Sequence, residues 1–209
     1  MNLQSLRQFE HDVYATTFDR DGLIIDVRNN SGGVISDYLL AILCHPQHAY
    51  TIPRDGRVSY PNGYLGKAVY NKPLVVLCNH HSYSNAEIFS HAIKTLKRGK
   101  LVGIPTNGAV ISTPKRDILD IGNLAVPDRG WWTLDGIDME LQGAVPDVIL
   151  WPEPGEIPAG IDRQLEKATA MVLEEVEEKS RQPTPKLIWS HEGYQALPYG
   201  LFQDAPSQQ

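Results

Sequence analysis

Three short apolar segments most constrain the fold of this chain: LIIDV at residues 23–27, PLVVLC at 73–78 and KLVGI at 100–104. Their length and composition are typical of buried parallel strands. Helical patterns separate them at 34–44 and 85–98, and the second shows an apolar stripe at helical spacing. The order strand–helix–strand–helix–strand predicts an α/β fold with mostly parallel strands and flanking helices.

Further helices are predicted at both ends of this core. Residues 2–18 form the first, and Asp162 is expected to cap the last. Gly99 is expected to stop the helix over 85–98. The predicted inward residues of the last helix are Leu165, Ala168, Val172, Leu173 and Val176. We expect a core domain over 1–180 and a Pro- and Gln-rich tail over 181–209, docked through Ile188, Trp189 and Phe202 or partly disordered.

Composition and residue spacing argue against several classes of protein. The chain has 209 residues and a net charge of −6, which argues against a broad nucleic-acid surface. No apolar stretch approaches the length of a membrane span. Cys44 and Cys78 lie in apolar runs and are expected to be buried thiols. His45 and His48 have no suitably spaced third ligand, so neither a metal nor another cofactor is expected.

Two strand–loop–helix corners are the candidate sites: RNNSGG at 28–33 and NHHSYSNAE at 79–87. Ligands of α/β sheets collect beyond the carboxyl ends of the strands, where helix N-termini offer free N–H groups. Ser84 begins an S-x-x-E capping box with Glu87, and spacing alone favours a helix cap. A nucleophile at the same position would place its hydroxyl above the strand ends, with the next N–H aimed at an oxyanion.

Four segments in order resemble the tail-specific, or C-terminal processing, serine proteases, and most closely their tricorn-type branch. They are GLIIDVRNNSGG, SNAEIFSHAIKTLKRGKLVG, TNGAVISTPKR and DMELQGAVPDV, and IDRQLEKA matches the closing helix of that family. The resemblance runs from about residue 20 to residue 178. It implies a spiral core of the ClpP/crotonase type and a peptidase that forms an acyl-enzyme.

The resemblance also implies roles for particular residues. Ser84 would be the nucleophile, and the N–H groups of Gly33 and Asn85 would form the oxyanion hole. Glu140 matches a glutamate that orients a catalytic histidine through a serine. The implied substrate-binding residues are Gly32, Thr51 and Gly108. Thr51 stands where tricorn-type members carry an acidic residue for basic side chains, so that preference is not implied here.

The resemblance assigns the base to another part of the protein. Many tail-specific members use a lysine 25 residues after the serine, and here that position is Ala109. Tricorn-type members use a histidine that precedes an inserted PDZ-like domain, which this chain starts too late to contain. We therefore expect an excised core with half of the catalytic apparatus, weakly active or inactive alone. Its expected partners are peptide substrates, the upstream PDZ-like and propeller regions and, in a homo-oligomer, further copies of itself.

Two rival hypotheses stand beside the peptidase. The same scaffold could bind peptides or apolar ligands without catalysis. It could also be an acyl-CoA enzyme of the related crotonase scaffold, which predicts retention of coenzyme A and no role for Ser84. A histidine upstream of this chain would favour the peptidase, and its absence would favour the binding domain.

Overall fold

The computed structural model describes residues 1–17, 19–47, 49–52, 54, 70–183 and 186–188. A four-stranded parallel sheet lies at its centre, in the order β1 (Leu23–Asp26), β2 (Leu74–Cys78), β3 (Lys100–Gly103) and β6 (Val148–Ile149). The predicted α/β architecture with parallel strands is therefore confirmed. Both faces of this sheet are covered by helices, which explains why its first three strands read as continuous apolar runs.

Alternate residues of β2 face two different cores. Leu74, Val76 and Cys78 join the larger core. Helices α1 (Leu3–His11), α2 (Ser36–Leu43) and α3 (Asn85–Thr95) also contribute side chains to it. Val75 and Leu77 face the opposite way, against α4 (Arg163–Arg181). Because side chains alternate along a strand, burying all five residues of β2 requires a helix layer on each face.

A second, antiparallel ribbon lies apart from the main sheet. It consists of β4 (Lys115–Ile118) and β5 (Gly122–Ala125), and every residue of both strands is exposed. No helix in the described part of the chain is long and apolar enough to cross a membrane.

Several local predictions were wrong at the ends and edges of helices. The first helix is α-helical only to His11 and continues as a π-helical turn over Asp12–Thr16. The helix α3 ends before Gly99, and the left-handed residue after it is Lys97, with φ 53°. Gly99 instead packs against β2, where a Cβ would lie 2.3 Å from the Leu74 carbonyl oxygen.

The last helix begins as predicted, since the Asp162 carboxylate accepts the N–H of Leu165 at 2.9 Å. Its inward face is narrower than predicted. Ala168 and Val172 are buried, whereas Leu165 and Leu173 are exposed. In the predicted tail, Ile188 is exposed, and Trp189 and Phe202 lie outside the described residues.

Candidate active site

The Ser84 corner has a strained backbone. Ser84 lies between β2 and α3 with φ 51° and ψ −117°, a region that residues with a Cβ rarely occupy. Its N–H lies 3.1 Å from the Ala109 carbonyl oxygen and 3.0 Å from Glu87 Oε1. Its carbonyl oxygen accepts the N–H groups of Glu87 and Ile88 at 2.9 and 3.0 Å. Hydrogen bonds to both the N–H and the carbonyl group of Ser84 thus hold a backbone conformation that would otherwise be unfavourable.

Glu87 is a fully buried acidic residue of this corner. Besides the Ser84 N–H, its carboxylate accepts the Thr106 hydroxyl at 2.7 Å, the Ala109 N–H at 2.9 Å and the Gly108 N–H. Its four donors are all neutral, and together they satisfy a carboxylate that would be costly to bury without partners. The sequence predicted Glu87 only as part of a helix cap, whereas the structure makes it the link between Ser84 and the segment 106–109.

The glycine loop packs directly on the Ser84 corner. A Cβ on Gly32, whose φ is 87°, would lie 2.9 Å from both the Ser84 Cβ and the Asn85 nitrogen. The N–H of Tyr83 binds the Asn30 carbonyl oxygen at 3.0 Å, which ties the two loops together. Only glycine allows this approach, so the two predicted corners lie in direct contact.

The main-chain N–H groups of Gly33 and Asn85, which lie in the two corners, have no acceptor among the described residues. Asn85 is the first residue of α3, where N–H groups have no partner within the helix. At Gly33 the backbone has φ 149°, and a Cβ would collide with the Met1 carbonyl oxygen. That oxygen accepts the N–H of Val34 at 3.0 Å, so Met1 packs against the glycine loop and supports it.

Glu140 lies beside the segment that contacts Ser84. Its Oε2 accepts the N–H of Val110 at 2.8 Å and that of Ile111 at 3.0 Å. These residues directly follow Ala109, whose carbonyl oxygen accepts the Ser84 N–H. The structure therefore brings Glu140 to the same edge of the site and fixes its carboxylate with two main-chain donors.

The described histidines make their contacts away from Ser84. The rings of His80 and His81 lie 3.9 Å apart and border a cavity of about 540 Å³ that Ser84 does not line. His91 contacts the Thr95 hydroxyl at 3.1 Å, and burial lowers its pKa. His11 lies beside Asp12 on the exposed side of the first helix. His48 and His191 are outside the described residues.

The three predicted substrate-binding residues differ in their surroundings. Gly32 donates its N–H to Asn30 Oδ1 at 3.0 Å and lies against Ser84. Gly108 donates to Glu87 and accepts the Leu141 N–H at 2.7 Å, so both of its main-chain polar groups have internal partners. Thr51 is half-buried next to a segment outside the described residues. Their contact with substrate stays a prediction.

Among the residues that the structure describes, no metal site and no reactive thiol accompany this corner. Within the described ranges, no three His, Cys, Asp or Glu side chains are grouped so that they could hold a metal ion. Cys78 is buried as predicted, and burial raises its pKa to about 12. Cys44 is only half-buried.

Comparison with known proteins identifies relatives of the whole core. The sequence profile of peptidase family S41 matches residues 2–150. The tricorn protease of Thermoplasma volcanium is 33% identical over 180 residues, which cover 85% of this chain and 17% of that protein. A putative tricorn-like protease C-terminal subunit of Sulfurisphaera tokodaii is also 33% identical, over 86% of this chain and 21% of its own length.

A solved structure shows the same similarity to tricorn proteases. The crystal structure of the tricorn protease superposes with a TM-score of 0.66 and 32% identity, over 75% of this chain and 15% of that one. The chain thus spans about a fifth or less of the length of these relatives.

Proposed function

This chain belongs to peptidase family S41, and we propose that it carries the nucleophile and the oxyanion hole of a serine peptidase. The observation that carries this proposal is the Ser84 corner. A serine in a strained conformation lies next to two main-chain N–H groups that lack acceptors among the described residues. Backbone strain that the surrounding hydrogen bonds maintain is typical of functional positions.

In the proposed reaction, Ser84 Oγ attacks the carbonyl carbon of a peptide bond while a base takes the hydroxyl proton. The N–H groups of Gly33 and Asn85 donate to the oxyanion of the tetrahedral intermediate. The intermediate collapses as the same base returns the proton to the leaving amine, which leaves an ester on Ser84. Water, deprotonated by the base, then hydrolyses that ester and restores the hydroxyl.

We assign the base to a histidine in a preceding segment of a longer chain. Two observations support this assignment. Ala109, which occupies the position of the lysine in serine–lysine members, contacts Ser84 through its carbonyl group and has no side chain that could act as a base. No histidine of the described part hydrogen-bonds to Ser84. Glu140, held by two main-chain N–H groups, would orient that histidine.

The substrates would be peptides, and the partners in the longer chain would be the PDZ-like and propeller regions that the resemblance implies. Assembly with further copies is part of the same proposal. Residues 1–180 would form the catalytic core, with 181–209 as its tail.

Labelling with a fluorophosphonate tests the nucleophile, because this reagent forms a covalent bond with an activated serine. We expect the full-length protein to be labelled on Ser84, as identified by peptide mass spectrometry, and the variant Ser84→Ala to remain unlabelled. Ser112→Ala, which removes a serine that pairs with Arg129 and has no described contact with Ser84, is the matched control and should label normally. Labelling that persists in Ser84→Ala, or no labelling of the full-length protein at all, would contradict the proposal and favour a binding domain.

A further inference from the structure

The side chain of Asn85 connects the two corners of the proposed site. Asn85 is buried at the start of α3, only 8% exposed. Its Oδ1 accepts the N–H of Ile35 at 2.9 Å and that of Ser36 at 2.8 Å, while its Nδ2 donates to Ser36 Oγ at 2.7 Å. One side chain therefore makes three hydrogen bonds to residues 49 and 50 positions earlier in the sequence.

These bonds replace a cap that α2 does not have. Ile35 occupies the N-cap position of α2 and has no side chain that could accept a hydrogen bond. The first N–H groups of a helix need acceptors when they are buried. Asn85 supplies the acceptor from a different helix, so the N-termini of α2 and α3 are held together at a fixed spacing.

The same spacing sets the geometry of the proposed oxyanion hole. Asn85 carries one of the two free N–H groups on its own main chain. Gly33 carries the other, only two residues before Ile35. The Asn85 side chain is thus the short connection between both donors. An oxyanion hole requires donors at about 2.7–3.1 Å from the developing charge, so small shifts of one donor matter.

We propose that the Asn85 side chain is a positioning residue of the oxyanion hole: its three bonds to Ile35 and Ser36 fix the Gly33 N–H relative to its own. This inference rests on the proposed function. It assigns the Asn85 side chain a role separate from that of its main chain, which any residue at position 85 would supply.

Two variants of Asn85 separate the side chain from the main chain. Asn85→Ala keeps the main-chain N–H but removes all three bonds. Asn85→Asp keeps an acceptor for Ile35 and Ser36, and the Ser36 hydroxyl can turn to donate to it. Ile93→Val is the control, because it trims a fully buried side chain of the same helix away from the corner.

The rate of fluorophosphonate labelling of Ser84 in the full-length protein is the functional readout, taken well below the unfolding temperature of every variant. We expect Asn85→Ala to label roughly 100-fold more slowly, the size of effect that a misplaced group produces. Asn85→Asp should recover at least about tenfold of that loss, because its carboxylate can still accept the N–H groups of Ile35 and Ser36. Ile93→Val should label at the normal rate even though its unfolding temperature falls. A purely structural role predicts instead that labelling is unchanged wherever the variant is folded.

Amide hydrogen exchange by NMR tests the clamp independently of catalysis, on the 209-residue chain. The N–H groups of Ile35 and Ser36 should lose protection in Asn85→Ala and keep it in Asn85→Asp. If exchange changes as expected but the full-length wild type is never labelled, the proposed function fails while the clamp stands as a structural contact. If the wild type is labelled and Asn85→Ala is labelled equally fast, the inference is overturned.

Discussion

The backbone of Ser84 has an unfavourable conformation that hydrogen bonds within the fold maintain. Its φ of 51° is unfavourable for a side chain with a Cβ, and it is maintained by bonds to Glu87 and Ala109. Backbone conformations of this kind cost about 1–3 kcal/mol each. The fold therefore holds Ser84 at some expense in stability, which agrees with the proposed presentation of its hydroxyl beyond the strand ends.

This strain predicts the effect of substituting Ser84. Ser84→Gly should raise the free energy of unfolding by about 1 kcal/mol, since relief of the strain exceeds the extra entropy of an unfolded glycine. Ser84→Ala keeps the Cβ and should show no such gain. Urea unfolding monitored by circular dichroism compares the three proteins. Equal stability of the Gly and Ala variants would show that the backbone of Ser84 is not strained.

The two cysteines should differ in their reactivity. Cys78 lies in the middle strand of the core, and burial raises its pKa to about 12, so the thiolate is scarce at neutral pH. Cys44 is half-buried and its pKa is raised less strongly by burial. We expect a thiol reagent such as iodoacetamide to modify Cys44 first under native conditions and both thiols in urea. Faster modification of Cys78 in the native protein would contradict the described core.

At the scale of elements, α4 is attached to the sheet by an ion pair at its N-terminus. Arg28, in the loop after β1, donates to both carboxylate oxygens of Asp162 at 2.9 and 2.7 Å, and also to Asp26. Asp162 at the same time caps α4. The connection joins the base of the glycine loop to the helix on the other face of the sheet.

Two substitutions of Asp162 distinguish the contribution of its helix cap to stability from that of its charge. Asp162→Ala removes the cap and the ion pair and should lower the free energy of unfolding by roughly 1–2 kcal/mol. Asp162→Asn keeps an oxygen for the cap and should cost at most about 1 kcal/mol, because the pair is partly exposed. Urea unfolding at pH 7 measures both, and an Asp162→Ala variant as stable as the wild type would contradict the capping role.

The ion pair also predicts a pH dependence. The hydrogen bonds from Arg28 lower the pKa of Asp162 below its ordinary value of 3.8. A carboxyl whose pKa is lower in the folded state stabilises the fold above the unfolded value and loses this contribution as the pH falls through the lowered one. The difference in stability between the wild type and Asp162→Asn should therefore be constant above pH 5 and shrink below about pH 3.8. A difference that grows in acid would refute the assignment.

At the scale of the whole molecule, the catalytic apparatus is proposed to be divided between this core and a preceding segment. The isolated chain should then be labelled by a fluorophosphonate about 100-fold or more slowly than the full-length protein, the usual contribution of a general base. Added imidazole, which can enter the site and act as the base, should accelerate labelling of the isolated chain but not of Ser84→Ala. Labelling of the isolated chain as fast as that of the full-length protein would place the base within residues 1–209.

The sequence by itself determined the first three strands of the core, the helices between and around them, and their order. The apolar runs at 23–27, 73–78 and 100–104 indicated the first three strands of the parallel sheet, and Asp162 marked the start of α4. Both kinds of signal involve residues that are close in the sequence. Strand periodicity and helix capping therefore depend only on local geometry. The apolar run around Cys78 also predicted its burial correctly, whereas the same reasoning was wrong for Cys44, which is only half-buried.

Only the tertiary structure decided which polar groups meet. Glu87 was predicted as a helix cap, yet its burial depends on Thr106, Gly108 and Ala109, about 20 residues away. The three hydrogen bonds of Asn85 to Ile35 and Ser36 leave no pattern in the sequence, because they depend on the register between the parallel strands β1 and β2. The exposure of Leu165 and Leu173 has the same origin, since the width of a helix's buried face is set by the layer it packs against.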